Sequence, residues 1–140
     1  MTKPRVLFLC THNSARSQMP EGFLRALAGD RFEAGSAGTE KTAVNPLAVR
    51  AMAEKNIDLS HHTSKRYEDL TPPPWDYLIT VCDEANEHCP FVPGTVKRLH
   101  WSFEDPSRAV GDEAQRLAVF RRVRDQIHER LAAWLKAAAP

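Results

Sequence analysis

The stretch Cys10-Thr11-His12-Asn13-Ser14-Ala15-Arg16 decides how this chain reads. It follows a short apolar run, Val6-Leu7-Phe8-Leu9, with the look of a buried strand. A helical pattern comes next. A cysteine thus ends a strand, a turn follows, and an arginine opens a helix. Such a turn suits an oxyanion, because its backbone N–H groups face inward as a nest and the helix start adds partial positive charge. Arg16 has the planar fork that grips two oxygens of a tetrahedral anion. The same field is expected to lower the thiol pKa of Cys10 and make it a nucleophile at neutral pH. Ser17 is placed to hydrogen-bond the thiolate, and Asn13 is a residue type that tolerates the left-handed backbone a tight loop requires. A cysteine alone is more often a small buried hydrophobe. The strand–turn–helix setting separates Cys10 from that reading.

Outward from the loop, strands and helices alternate. Strands are expected at residues 5–9, 32–34, 77–81 and 96–99. The first helix spans 17–28, with Met19, Phe23, Leu24 and Leu27 as its apolar stripe and Gly29 as its stop. Asn45-Pro46 starts a second helix with a capping Asn and a Pro at the first helical position, and Val49, Met52 and Ala53 form its buried face. Gly35-Ser36-Ala37-Gly38 suggests close backbone approach to the anion loop. Residues 71–74 read as a stiff turn. From 112 the chain is helical to its end: Phe120, Val123, Ile127, Leu131 and Trp134 step by threes and fours, and the arginines line the solvated faces. This alternation implies an α/β fold, a parallel sheet with helices on both faces.

A length of 140 residues suits a single domain, 1–140. The formal charge of +1, from 19 basic and 18 acidic residues, gives no broad attraction to nucleic acid or to an acidic membrane. No apolar run approaches the ~20 residues of a membrane span, and the basic start leads straight into a strand, so a cytoplasmic protein is expected. There, three cysteines argue for chemistry and not for a disulfide framework.

Cys82 and Cys89 bracket Asp83-Glu84-Ala85-Asn86-Glu87-His88, which favours a helical turn or two. Seven helical steps rise ~10.5 Å, whereas a disulfide holds Cα atoms within about 7 Å. Joining the two sulfurs must unwind or bend the segment, and Pro90 stops any helix beyond it. Zinc on Cys82, His88 and Cys89 lacks a fourth ligand and the usual paired spacing. Two inert buried thiols are the plain alternative.

The loop Cys10-Thr11-His12-Asn13-Ser14-Ala15-Arg16-Ser17-Gln18-Met19 resembles the phosphate loop of the low-molecular-weight phosphatase fold, and more closely that of its thioredoxin-coupled arsenate reductases. The likeness continues through Ser36-Ala37-Gly38, Val44-Asn45-Pro46, Ser60-x-His62-Thr63-Ser64, the Cys82 to Cys89 segment and His100-Trp101-x-Phe103-x-Asp105-Pro106, which covers most of the chain. It implies a four-stranded parallel sheet of order 2-1-3-4 flanked by helices. Cys10 and Cys82 then end the two strands beside the switch in winding direction, where ligands bind, and Asp105 follows the fourth.

The resemblance also implies arsenate reduction by a monomer, with phosphate or sulfate as oxyanion mimics. Thr11, His12, Asn13, Ser14, Ala15 and Arg16 would bind the anion. Cys10 attacks arsenic, Asp105 protonates the departing oxygen, and Cys82 and Cys89 resolve the adduct in a disulfide relay that thioredoxin restores. No bound cofactor is required. Ser107 stands where tyrosine phosphatases carry an aromatic wall, which favours a small inorganic oxyanion. Asn13, Glu21 and Ser36 match a potassium site of some of these reductases. That site ends in an Asp where this chain has Lys65, whose ammonium either replaces the ion or sits in water; no metal is expected. His62 orients neighbouring groups or is plain polar surface. Ala15 stands where some relatives have a fourth cysteine. A tyrosine phosphatase using Cys10, Arg16 and Asp105 alone, and a non-catalytic phospho-ligand-binding or redox-sensing module, are the other readings.

Overall fold

The computed structural model describes residues 3–40, 42–67, 75–82 and 97–138. In chain order these form β1 (Arg5–Cys10), α1 (Gln18–Ala28), β2 (Glu33–Gly38), α2 (Pro46–Ala53), β3 (Tyr77–Thr80), β4 (Lys97–His100), a 3-10 turn (Pro106–Arg108) and α3 (Glu113–Ala138). The strands make one parallel sheet of order β2-β1-β3-β4, the order the resemblance implies. β1 is a central strand, and its residues from Val6 to Cys10 are all buried, which is why it reads as a continuous apolar run. β4 is an edge strand; its Lys97 and Arg98 are exposed, as suits an edge that must not pair further.

The registers aim the chemistry at one edge. Cys10 pairs with Gly38, and Leu9 lies opposite Thr80, two residues before Cys82. β2 runs to Gly38 and is longer than its apolar start suggests, since its second half is held by β1 and not by its own side chains. A Cβ on Gly38 would lie 2.7 Å from the Thr11 carbonyl oxygen and 2.8 Å from the Asn13 nitrogen, so only glycine lets β2 reach the loop.

α1 packs on β1, β2 and the other two described helices. Its stripe differs from expectation: Met19, Phe23 and Leu24 are buried, but Leu27 is 47% exposed. The buried face instead takes in Gln18, Pro20, Glu21 and Ala28, and Leu27 lies beyond its edge, beside Arg31 and Leu135. In α2 the Asn45 side chain accepts from the Leu47 N–H, as a cap should, and Leu47, Ala48, Ala51 and Met52 are the buried set. Ala53 is exposed, so that edge of the face falls one residue earlier than expected.

α3 buries Phe120, Val123, Ile127 and Leu131, together with Leu117 and Leu135. Each such side chain contributes about 1.5–3 kcal/mol of hydrophobic free energy. Trp134 lies between Phe32, Tyr77 and Trp101, with ring centroids 5.3, 5.2 and 6.1 Å away. The solvated-arginine expectation fails at Arg124. It is 6% exposed, and its guanidinium donates to the Ala51 carbonyl and to Glu54 at 2.8 Å each and to Asp125 at 2.9 Å. Those bonds cap the end of α2 and clamp it to α3. Arg121 and Arg122 pair with Glu54 and Glu104. The stiff turn at 71–74, the segment from Asp83 through His88, Cys89 and Pro90, and Val96 lie outside the described residues.

Candidate active site

The loop is shaped by where its carbonyls go. The Cys10 carbonyl accepts from Thr39 N at 3.2 Å, and that of Thr11 from Glu40 N at 2.8 Å. The His12 carbonyl accepts from the hydroxyls of Thr42 and Ser64, both at 2.9 Å. The Asn13 carbonyl takes the Gln18 amide at 3.2 Å, that of Ser14 takes Asn45 N at 3.0 Å, and that of Ala15 takes Met19 N at 2.9 Å. Successive carbonyls are thus pinned outward. In a trans peptide the N–H points opposite its carbonyl, so the amides turn inward and make the nest. Asn13 supplies the bend with φ 51°, the left-handed backbone expected of it. α1 begins at Gln18, so Arg16 lies in the turn before the helix and does not open it.

Cys10 is 2% exposed at the end of β1. Its Sγ receives the Asn13 N–H at 3.2 Å and lies 2.9 Å from Ser17 Oγ. Ser17 occupies the N-cap of α1 without capping it, because its hydroxyl faces the sulfur instead. The expected depression of the thiol pKa does not hold in this geometry. Burial pushes Cys10 up and outweighs the rest: the Ser17 hydroxyl pulls it down, Cys82 pushes it up, and Arg16 and the Asn13 N–H pull it down. The sequence shows the field of the loop but not the cost of enclosing a thiolate away from water beside a second sulfur.

The loop residues His12, Ser14 and Ala15, with Ser107 opposite, wall a cavity of ≈ 20 Å³ around Cys10, Arg16 and Asp105. Arg16 Nη2 is 3.4 Å from Asp105 Oδ2, and its Nη1 donates to the Phe103 carbonyl at 3.4 Å. The Asp105 side chain caps the 3-10 turn, accepting from the Ser107 N–H at 3.0 Å and from its hydroxyl at 2.6 Å. Burial pushes this carboxyl up, but Ser107, Arg16 and Arg108 together pull it below its ordinary value. Asp105 therefore stands ionised on Arg16. Cys82, 2% exposed, comes to the same edge with its Sγ 3.4 Å from Thr11 Oγ1. Cys89 lies outside the described residues.

Behind the loop, the Asn13 amide donates to Ser17 Oγ at 2.8 Å and to Ser36 Oγ at 3.0 Å, and Ser36 donates to Glu21. These groups do not fit a potassium ion. The nitrogen of Asn13, not its oxygen, faces Ser36, and the second Glu21 oxygen takes Arg25 at 2.6 Å. Arg25 is the direct partner of the buried carboxylate. Lys65 donates instead to the Thr63 carbonyl at 2.7 Å. Burial pushes the Lys65 amine down while Glu21 pulls it up, so it adds charge near Glu21 without bonding to it. The Glu21–Arg25 spacing of four residues is a helix-pair signal that the sequence does carry. Gln18, fully buried, is a further site residue that the apolar pattern does not single out. His62 is half-buried, with its Nδ1 2.9 Å from Gln18 Oε1 and its Nε2 3.2 Å from Arg25 Nη1.

A nucleophile-bearing oxyanion loop on an α/β sheet, faced by a carboxylate, defines a class of phosphatase-like enzymes. The low molecular weight phosphotyrosine protein phosphatase model matches residues 5–139, and the chain belongs to that family. An arsenate reductase of Oceanobacillus iheyensis is 41% identical over 97% of this chain and 98% of its own. The solved structure of an arsenate reductase in the phosphate binding state is 32% identical, with a TM-score of 0.79 over 97% of this chain and 99% of that one. A thioredoxin-dependent arsenate reductase of Corynebacterium glutamicum is 28% identical, with a TM-score of 0.72 over 96% of this chain and 61% of that one.

Proposed function

We propose that this protein reduces arsenate to arsenite through Cys10, Cys82 and Cys89, and that thioredoxin restores its thiols in the cytoplasm. One observation carries the reading beyond its relatives' names. A second cysteine, far away in sequence, lies against Thr11 at the same sheet edge as Cys10, with its Sγ 3.4 Å from Thr11 Oγ1. Hydrolysis of a phosphocysteine does not require a second thiol, whereas reduction of arsenic does.

The oxyanion takes the inward amides and the fork of Arg16, displacing the Asp105 carboxylate. Losing that cation and gaining an anionic neighbour both push the Asp105 pKa up, so the carboxyl becomes protonated when a proton is needed. Cys10 thiolate attacks arsenic, and an oxygen leaves as water with the Asp105 proton. Cys82 thiolate attacks the Cys10 sulfur. The S–S bond forms, the S–As bond breaks, and its electron pair stays on arsenic as arsenite departs. Cys89 thiolate then attacks Cys82 and releases Cys10, and thioredoxin reduces the Cys82–Cys89 disulfide. The two electrons pass from thioredoxin to arsenic with no bound cofactor.

Steady-state turnover with arsenate, NADPH, thioredoxin and its reductase tests this reading. Arsenite formation that depends on thioredoxin supports it. Hydrolysis of an aryl phosphate without arsenate turnover would return the protein to phosphatase chemistry.

Asp105→Asn keeps the size of the side chain and removes its proton. The step it assists is expected to slow by ~10²–10⁴, with the limb of the pH–rate profile due to this carboxyl lost. An unchanged rate across the pH series would assign the proton to water.

Potassium should change neither turnover nor melting temperature relative to sodium at equal ionic strength, because Arg25 and Lys65 already supply positive charge around Glu21. A potassium-specific rise in either would contradict this.

A further inference from the structure

Gln18 is the first residue of α1, polar and 0% exposed, yet no step above uses it. Its Nε2 donates to Asn13 Oδ1 at 2.9 Å, to the Asn13 carbonyl at 3.2 Å and to the Thr63 carbonyl at 3.0 Å. Its Oε1 faces His62 Nδ1 at 2.9 Å. The direction of each neighbouring bond then follows from what each group can do. Arg25 Nη1 has only protons to give, so His62 Nε2, at 3.2 Å, must accept. The proton of His62 therefore sits on Nδ1 and is donated to Gln18 Oε1. Burial favours the same neutral ring, pushing the His62 pKa down; Glu21 opposes it, while Arg25, His61 and Lys65 add to it.

The chain continues without a free choice. With Oε1 committed to His62, the Gln18 nitrogen faces Asn13. Asn13 Oδ1 accepts from Gln18 and from the Lys65 N–H at 2.8 Å, so its nitrogen must point at Ser17 and Ser36. The Ser36 hydroxyl donates to Glu21. Ser17 accepts from Asn13 and keeps its own proton for Cys10 Sγ, 2.9 Å away. Four donations thus run one way: His62 to Gln18, Gln18 to Asn13, Asn13 to Ser17, and Ser17 to the sulfur. Hydrogen bonds aligned in series polarise one another, and this direction favours negative charge at the final acceptor.

We propose that Gln18 is a positioning residue for Cys10: it carries the orientation set by His62 into the anion loop and so commits the Ser17 hydroxyl to donate to the sulfur. This rests on Cys10 being the nucleophile. Among the groups that favour the Cys10 thiolate, Ser17 is the strongest. Gln18 does not touch the sulfur, and its bond to the Asn13 carbonyl helps to hold the loop as well, so the readout specific to the chain of donations is the ionisation of Cys10.

The test is the pH dependence of Cys10 alkylation by iodoacetamide, followed by mass on the peptide that holds Cys10, in the otherwise native chain. Gln18→Met keeps the length and removes every polar atom. It leaves in place the titratable and charged groups that face Cys10, which are Arg16 with its partner Asp105 and Cys82. It also leaves those that face His62, which are Glu21 and Arg25 on α1 and His61 and Lys65 on its own loop. The ionisation midpoint should rise by about one pH unit, making alkylation at neutral pH about tenfold slower. The kcat for arsenate at neutral pH should fall with it.

His62→Ala, at a half-buried position, should move the midpoint the same way by less. The double variant should match Gln18→Met, because both act along one chain. A midpoint shift under about 0.3 unit in both single variants, whatever happens to melting temperature, would reduce Gln18 to a packing residue and overturn the proposal. If Gln18→Met does not fold, His62→Ala decides by the same threshold. Alkylation needs no arsenate, so a failure of the arsenate reading would leave this result intact and distinguishable.

Discussion

Cys10→Ser is expected to abolish arsenate reduction and any aryl phosphate hydrolysis, by at least ~10⁴-fold, the scale on which losing a nucleophile leaves little beyond binding. Both reactions begin at that sulfur. A serine hydroxyl at the end of β1 would still sit beside Ser17 and the Asn13 N–H, but it does not ionise near neutral pH. It also forms no disulfide, so nothing supplies the two electrons that arsenic must gain. The loop itself should survive, because its shape comes from carbonyls pinned by Thr39, Glu40, Thr42, Ser64 and Asn45, none of which involves the sulfur atom. Phosphate or sulfate should therefore still bind to the variant, as titration calorimetry can show. Retained anion binding with no turnover places the loss in chemistry. Substantial turnover of either substrate by Cys10→Ser would remove the central claim.

The parts of the molecule legible from the sequence are those determined by near neighbours. The strand before Cys10 announces itself because it is buried throughout and apolar throughout. Asn45-Pro46 predicts the start of α2 because cap and proline act within one turn. The backbone of Asn13 follows from what asparagine tolerates. What escapes is decided by groups distant in sequence. Gln18 looks like an ordinary polar helix start until Thr63 and His62 arrive from the other side of α2. The direction of the Cys10 pKa depends on how completely the site is closed and on Cys82, 72 positions away, neither of which a motif displays. Arg124 and Arg25 are intermediate cases. Arg124 sits one helical turn from Phe120, inside the buried stripe, and Arg25 one turn from Glu21, so spacing held a signal in both. Composition, which marks arginine as surface, concealed it.

Replacing the second and third cysteines separately should split the proposed cycle at two different points. Without Cys82, the proposed relay lacks the thiol that attacks the Cys10 sulfur, and arsenite should not leave by the normal route. Without Cys89, one turnover should still occur, because Cys10 and Cys82 are enough to form the first disulfide. That disulfide would join two sulfurs that are each 2% exposed, out of easy reach of thioredoxin. Cys89→Ser is therefore expected to release close to one arsenite per enzyme and then stall, with mass mapping showing Cys10 joined to Cys82. Both variants should keep any aryl phosphatase activity, since hydrolysis of a phosphocysteine needs only the loop, Arg16 and Asp105. The expectation from sequence bears on the last step: on a helix seven steps span ~10.5 Å, and a disulfide closes at Cα distances under about 7 Å. A helical segment would have to bend or unwind for Cys82 and Cys89 to join. Normal steady-state turnover of Cys89→Ser with thioredoxin would refute the three-cysteine relay. A two-thiol cycle opened directly by the external reductant would then describe this protein better.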